Sequence, residues 1–596
     1  MEAVWKRSEV PAGYRWRLED LFADQAAWDR QYDEVKRLLG DIGRLEGKLK
    51  DAEAIRQCFE LEDELSLRTE QLYVYASNRH NENTADPVFQ ALLDKAKKLA
   101  VEANGAMSFI TPDILELPEE QLEALLNEPS LIRYRKTLTD MLRQKPHILS
   151  KPEEALLARV GNVSQAPGTI FGMLNNADMK FPLVQNEDGA KVELTHGRYI
   201  QFLESRDRDV RKGAFEAMYA TYGKLRNTLA ATLGANVTKN QFYAKARKYG
   251  SALEASLYDD KIPVSVYDSL ISTIHESLPL LHRYMNLRKK LLNVDELHMY
   301  DLFAPLVDEY KMDIAYEEAK QTVLASIRPL GDEYGAIFAQ GLDGGWIDVY
   351  ENEGKRNGAY CSGAYGTHPF VLLNHKDNLS SMFTLSHEMG HALHSYLSDA
   401  VQDYRNAQYT IFLAEVASTL NEALLMDDLL RRATDPQQKM YLLCYYADKF
   451  RTTVFRQTMF AEFERLIYSK AEQGESLTHE DLCRIYYDLN VQYHGPAMTV
   501  DRDIEMEWAR IPHFYRSFYV FKYATGFSAA TSFAKQILDE GAPAVERYLG
   551  FLQSGGSDYS IEILKRAGVD MSSPEPIRQA MSVFEDLLGQ MERMTS

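Results

Sequence analysis

Residues 387–391 read His-Glu-Met-Gly-His. Side chains four apart stack on one face of a helix, so His387 and His391 can grip one ion while Glu388 lies beside it. At about 100° per residue, Met382, Leu385, Met389, Ala392, Leu393 and Tyr396 share a sector nearly opposite the two histidines. One face of such a helix packs into a core and the other presents ligands. A chance match has no reason to divide its faces this way. The bland alternative is a helix whose histidines only hydrogen-bond. Two neutral imidazoles and a carboxylate would hold zinc and leave a fourth position for water.

The carboxylate has to come from elsewhere in the chain. One known zinc pattern adds a glycine three residues after the second histidine and a third histidine three further on, but here those places hold His394 and Leu397. The better candidate is Glu415, within LAEVASTLNE at 413–422. On a helix Glu415, Ser418, Thr419 and Glu422 share one face, while Leu413, Val416, Leu420 and Leu424 lie largely elsewhere. A carboxylate on such a polar stripe needs a partner, because burying it unpaired is costly. Glu422, two turns on, reads as a hydrogen-bonding or ion-pair partner. His394 reads as a hydrogen-bonding neighbour of the site, since three ligands from one short helix splay poorly around a tetrahedral ion. Asp399 and Asp403 remain fallback ligands in an expected loop past the helix end.

Outward from this centre the chain is helical in pattern almost throughout. Asp24 is placed to cap a helix in which Trp28, Tyr32, Val35, Leu38 and Leu39 recur at helical spacing. The clearest strand signal in the first half is Phe181–Leu194, where PLVQ and KVEL flank Asn186-Glu187-Asp188-Gly189 and predict a hairpin. Thr195 then caps another helix. Asp348–Asn378 is rich in glycine and carries the apolar run Phe370–Leu373, which predicts strands and loops just before the metal helix. The segment His494-Gly495-Pro496 fits either a loop over a cleft or a plain turn. No repeat or flexible linker appears, and the domain boundary is set near 200, giving residues 1–200 and 201–596.

Composition narrows the partners. Lys plus Arg is 67 against Asp plus Glu at 88, a formal net charge of −21, which repels phosphate backbones and anionic lipid. Neither nucleic acid nor a membrane is expected as a partner. The four cysteines are far apart with no C-x-x-C pair, as in a reducing compartment. Met1–Trp16 holds no apolar run long enough for a signal peptide, and no stretch approaches the roughly 18 apolar residues of a membrane span. A cytoplasmic location is expected. Oligomeric state is not legible.

Three segments, HEMGHALH at 387–394, AEVASTLNE at 414–422 and HFYRSFYVFKYATG at 513–526, together resemble the thimet oligopeptidase family of zinc metallopeptidases, most of all its oligoendopeptidase F branch. The resemblance implies a mainly α, two-lobed, zincin-like fold with a small β element beside a deep substrate channel. It implies an N-terminal helical region over 1–200 and a catalytic domain over 201–596. The implied activity is that of a zinc metalloendopeptidase acting on internal bonds of short, unstructured peptides. The alternative is a helical zinc carboxypeptidase or dipeptidyl carboxypeptidase with the same ligand arrangement. Carried over by position, His387, His391 and Glu415 match the ligands of one Zn2+, Glu388 the catalytic Glu, and His513 with the following tyrosines the segment that contacts the scissile carbonyl.

Within that segment Pro512 suits a helix start, and Tyr519 and Tyr523 are expected one turn apart on the helix that follows, as donors beside His513. Phe514, Phe518 and Phe521 read as core, and Tyr515 fits either role. Around Cys361, the Gly358–Gly363 stretch predicts an edge strand on which an extended peptide can pair. A non-catalytic peptide-binding scaffold is the rival of a different class. The presence of both Glu388 and Glu415 speaks against it.

Overall fold

Side-chain caps start many of the helices in the computed structural model, which describes residues 5–307, 310 and 312–595. The first four residues of the opening Met1–Trp16 segment thus lie outside the described residues. Asp24 accepts the Ala27 amide at 2.8 Å and starts α1 (Gln25–Gly43). Asp51 does the same for α2 (Ala52–Glu82), and Asp86 followed by Pro87 starts α3 (Pro87–Met107). Their apolar faces close over Trp28, Phe59 and Leu72, all fully buried. The Trp28 indole N–H donates to the Leu72 carbonyl at 3.0 Å, so this large side chain buries no unsatisfied donor.

Later helices include α4 (Arg226–Ala246), α5 (Val264–Leu291), α6 (Leu379–Val401), α7 (Ile411–Arg432), α8 (Pro436–Phe450), α9 (Arg456–Glu472), α10 (His479–His494) and α11 (Phe521–Glu540). The fold is mainly α, with small sheets. Among the described residues no helix is long and apolar enough to cross a membrane.

The predicted hairpin is present as β1 (Leu183–Gln185) and β2 (Lys191–Glu193), antiparallel with Val184 opposite Val192. Gly189 closes its turn at φ +78°, a conformation that favours glycine. Beyond β3 (Leu297–His298), the glycine-rich stretch yields β4 (Ile347–Asp348), β5 (Tyr360–Ser362) and β6 (Phe370–Leu372) in the order β4-β6-β5. The β4–β6 pair is parallel, the β5–β6 pair antiparallel, and β5 is an edge. Buried β6 anchors this sheet. On β4, Asp348 is fully buried and ion-paired to Lys355 at 2.7 Å and Arg7 at 2.5 Å. Finally β7 (Met498–Thr499) pairs in parallel with β3. Two residues cannot show a period, so β3 and β7 left no trace in the sequence reading.

His494-Gly495-Pro496 is a plain turn that ends α10. Gly495 has φ +72°, and a Cβ there would fall 2.4 Å from the His282 ring, so both backbone and space require glycine.

The chain forms two compact units. One comprises Met1–Pro146, Lys311–Asp427 and Phe533–Gly568; the other comprises His147–Tyr310, Asp428–Ser532 and Val569–Ser596. Each gathers three separate stretches, whereas reading along the sequence yields a single cut near 200. The HEMGH helix and Glu415 lie in the first unit, and His513, Tyr519 and Tyr523 in the second.

Candidate metal centre

Asn378 starts α6, the helix of His387 and His391, its side chain accepting the Ser381 amide at 2.9 Å. Met382, Leu385, Met389, Ala392 and Leu393 are buried, and Tyr396 is half-buried against Trp346. The helix therefore presents His387 and His391 on its other side, both only partly exposed.

Gly390 decides what reaches them. A Cβ at this position would lie 2.5 Å from Ser418 Cα and 2.8 Å from the Ala417 carbonyl, so α6 and α7 meet backbone to backbone. Asn421 of α7 strengthens the contact, donating to the Ser386 carbonyl at 3.5 Å and accepting the Tyr334 hydroxyl at 3.2 Å. This close approach lets a short carboxylate on α7 reach the imidazoles.

Three donor atoms converge there. His387 Nε2 and His391 Nε2 are 3.2 Å apart, and Glu415 Oε2 lies 3.5 Å from the first and 3.9 Å from the second. Bonds of about 2.0–2.1 Å to a tetrahedral zinc would set such atoms roughly 3.3 Å apart. The triangle fits. Among the described residues, these three form the group of His, Cys, Asp and Glu side chains whose donor atoms all lie within 4.8 Å of one another. Asp399 continues α6 rather than lying in a loop, and Asp403 caps the short helix Tyr404–Ala407; neither joins the group.

The outer ring nitrogens explain the orientation. His387 Nδ1 donates to Glu422 Oε1 at 2.7 Å, and His391 is hydrogen-bonded to the Ala414 carbonyl. Each neutral ring then turns its Nε2 lone pair toward the other and toward a carboxylate. Three electron-rich atoms at this spacing repel one another unless a cation sits among them. A carboxylate or carbonyl behind a ligating imidazole is the usual way of fixing tautomer and raising basicity.

Burial lowers the His387 pKa, but the Glu422 carboxylate, with Glu388 and Glu415, outweighs it and holds the ring above the ordinary histidine range. His391 is pushed down to about 3, by burial first and then by the charge on His387. Burial also pushes the Glu388 carboxyl up to about 7; His387 opposes this and Glu415 reinforces it. A cation at the triangle favours neutral imidazole and ionised carboxylate. A base with a pKa near neutrality is matched to moving a proton at neutral pH.

Edge strand β5 completes this face, because the Cys361 backbone N–H donates to the Glu388 carboxylate. The Cys361 thiol itself is pushed well up by burial and by Glu388, so it stays protonated. This backbone contact escaped the sequence reading, and only the pairing of β5 with β6 beside α6 produces it. His394 differs from expectation. Its ring is fully buried, stacks on Tyr409 at 3.6 Å, and has both nitrogens without a partner among the described residues. Burial pushes its pKa down to about 3, so it is a neutral packing residue rather than a hydrogen-bonding one.

In the other unit, Pro512 opens the 3-10 turn Pro512–Tyr515, which carries His513. The His513, Tyr519 and Tyr523 rings form a cluster, with centroids 6.2 Å apart for His513–Tyr519, 6.0 Å for His513–Tyr523 and 5.4 Å for Tyr519–Tyr523. Tyr519, however, precedes the helix, since α11 begins at Phe521. The break lies at Phe518, whose φ of +57° is a left-handed conformation unusual for a bulky residue.

Side chains from α4 and α9 hold that strained residue in place. Glu464 Oε1 accepts the Phe518 amide at 2.9 Å, Tyr468 and Asn240 hydrogen-bond the Ser517 hydroxyl, and Asn236 donates to the Phe514 carbonyl at 3.1 Å. Phe514, Phe518 and Phe521 are core, and Tyr515 stacks on Phe171 at 4.3 Å. Glu464 was missed by the sequence reading. A Glu amid the apolar run of α9, at a position that proves fully buried, was the signal.

Comparison with known proteins yields matches along the whole chain. Residues 201–583 match peptidase family M3, and residues 113–181 match oligopeptidase F. Oligopeptidase PepF of Bacillus subtilis is 49% identical over 590 residues, covering 99% of this chain and 88% of that one. The crystal structure of oligoendopeptidase-F from Enterococcus faecium superposes with a TM-score of 0.74 at 40% identity, covering 95% of this chain and 98% of that one. A crystal structure from Chlamydophila abortus reaches a TM-score of 0.94 at 35% identity, over 99% and 100% of the respective chains.

Proposed function

The chain belongs to peptidase family M3, and from that premise we propose which of its residues hold the metal and carry the reaction. It is a metalloendopeptidase, a hydrolase of oligopeptides; the endopeptidase reading is favoured over the carboxypeptidase alternative by relatives that are oligoendopeptidases. Zinc is the metal we infer, one ion per chain, held by His387, His391 and Glu415. The observation that carries this reading is the convergence of those three donor atoms beside Glu388.

When bound, zinc supplies a water of lowered pKa and polarises the substrate carbonyl. Glu388 takes the proton from the attacking water and delivers it to the leaving amine, and the Cys361 N–H fixes its carboxylate for both transfers. Glu422 and the Ala414 carbonyl hold the imidazoles in the ligating tautomer. His513, Tyr519 and Tyr523 donate hydrogen bonds to the carbonyl oxygen as negative charge develops on it. Edge strand β5 binds the extended peptide through backbone bonds, which demand little of its sequence. Residues 201–596 form the catalytic domain in this reading, supported by the family match from 201. Four free thiols and a net charge of −21 support short peptides in the cytoplasm as substrates, rather than nucleic acid or a membrane surface.

Glu388→Gln tests the chemistry directly. Metal content measured by atomic emission stays near that of the parent, and kcat on an internally quenched peptide blocked at both ends falls by about 10²–10⁴-fold. A variant that cleaves as fast as the parent ends the proposal. A parent that leaves the blocked peptide intact ends the endopeptidase reading.

A further inference from the structure

Edge strand β5 turns its free side outward through one residue. The Val371 amide donates to the Trp346 carbonyl at 2.8 Å, on the β4 side of β6. In an antiparallel pair hydrogen-bonded and free residues alternate, so Cys361, opposite Val371, turns its own N–H and C=O away from β6. That N–H is the one that reaches the Glu388 carboxylate. The donor thus stands at the outer edge of the sheet, where pairing with β6 does not hold it directly.

The side chain next to it supplies a hold from another direction. Successive side chains of a strand leave opposite faces, and that of Tyr360 reaches the C-terminal end of α2. Its hydroxyl accepts from the Asn81 side-chain amide at 2.7 Å and donates to Asn78 Oδ1 at 2.9 Å. Asn78 and Asn81 lie one helical turn apart and are only 1% and 5% exposed, so both amides face the same hydroxyl from the buried side of α2. Burial holds the phenol well above its ordinary pKa, and the hydroxyl keeps the proton it donates. The ring itself packs on Trp16 with centroids 6.3 Å apart, and the Arg356 guanidinium lies 5.3 Å over it. Packing alone would be met by a phenylalanine against apolar residues of α2. Two buried amides on one hydroxyl instead fix the ring, and the strand that carries it, to within hydrogen-bond tolerance.

We propose that Tyr360 is a positioning residue for peptide hydrolysis: gripped by Asn78 and Asn81, it fixes β5 against α2 and thereby fixes the Cys361 N–H on Glu388. This deepens the peptidase reading and rests on Glu388 as the proton carrier. Tyr360 acts through the strand and not on the reacting atoms. A strand released from α2 shifts along β6, and a misplacement of about 1 Å at a reacting group costs on the order of 10²-fold in rate.

The test is steady-state kinetics of the full-length, zinc-loaded protein on the internally quenched peptide. Tyr360→Phe removes one hydroxyl and keeps the ring. Zinc content and KM stay at parental values, and kcat falls by about 10–100-fold. Placed in the Glu388→Gln protein, the same substitution leaves the residual kcat unchanged, because its route to the chemistry is already gone. A residual rate that falls as far as the parent's did overturns the inference, since the hydroxyl would then serve the fold or the substrate directly. So does a Tyr360→Phe protein with parental kcat, or one in which only KM changes. Should Tyr360→Phe not fold, Asn81→Ala frees one of the two bonds and is read by the same pair of rates, with a smaller fall expected in the parent and none in Glu388→Gln. A Glu388→Gln protein as fast as the parent would overturn the reading of Glu388 itself, and it does so before Tyr360 is altered.

Discussion

The two regions proposed to act on the substrate are built in opposite ways. The ligand triangle stands on two uninterrupted helices whose only special requirement is a missing Cβ at Gly390. The His513–Tyr523 segment is a 3-10 turn, a left-handed Phe518 and the first residues of α11, held in shape by Glu464, Tyr468, Asn236 and Asn240. Helical spacing puts His387 and His391 on one face, and one close contact between two regular helices brings Glu415 to them. The second set is aimed by tertiary hydrogen bonds that offset a backbone strain of about 1–3 kcal/mol. A metal site tolerates little displacement of its ligands and gains from rigid elements. The tyrosine segment depends on contacts far away in sequence.

Losing a ligand should have the largest effect. Glu415→Gln lowers metal affinity by more than about 100-fold, beyond the 10–100-fold typical of residues behind the ligands, and activity falls with metal content. Retention of tightly bound zinc, measured by titration against a chelator, would remove Glu415 from the triangle. The tyrosine segment should respond differently. Tyr519→Phe and Tyr523→Phe leave metal content unchanged, and whichever hydroxyl is the donor costs about 10²–10³-fold in kcat with little change in KM. If neither variant slows turnover, the cluster is only packing.

Gly390→Ala tests whether helix contact sets the triangle. The new Cβ forces α6 from α7, lowering unfolding free energy by about 1–3 kcal/mol in denaturant titrations and weakening metal binding. A variant with parental metal affinity would show that Glu415 reaches the imidazoles without that contact.

The smallest effect concerns the clamp on Phe518. Burial pushes the Glu464 carboxyl up to about 8, and the Phe518 amide opposes the shift only in part. The native state therefore keeps a proton that the unfolded chain releases above its ordinary carboxyl pKa. That contribution is complete below about 4.5 and is lost as pH rises through about 8. Glu464→Gln still accepts the amide but does not titrate. Its melting temperature should gain on the parent steadily from pH 5 to pH 8, and a constant difference across that range would mean that Glu464 is charged throughout.

Legibility in the sequence followed regularity. Helices showed through their periodicity and caps, as at Asp24 and Thr195, and the β1–β2 hairpin through its Asp-Gly turn. Spacing of four residues put His387 and His391 on one face, and a polar stripe on an apolar helix singled out Glu415. The helix expected through Tyr519 starts later, because the chain breaks at a left-handed Phe518 whose amide donates to Glu464, a partner 54 positions away. His394 lay on the ligand side of α6, yet the ring of Tyr409 captures it.

The amino-acid order by itself determined the helical class and singled out His387, Glu388, His391 and Glu415 as the candidate site, since each stands out in a helical pattern of residues a few positions apart. Tertiary structure alone decided that α6 and α7 touch at Gly390 and that the Cys361 N–H reaches Glu388. Those facts join residues tens of positions apart, and no local pattern encodes a distance that only packing creates.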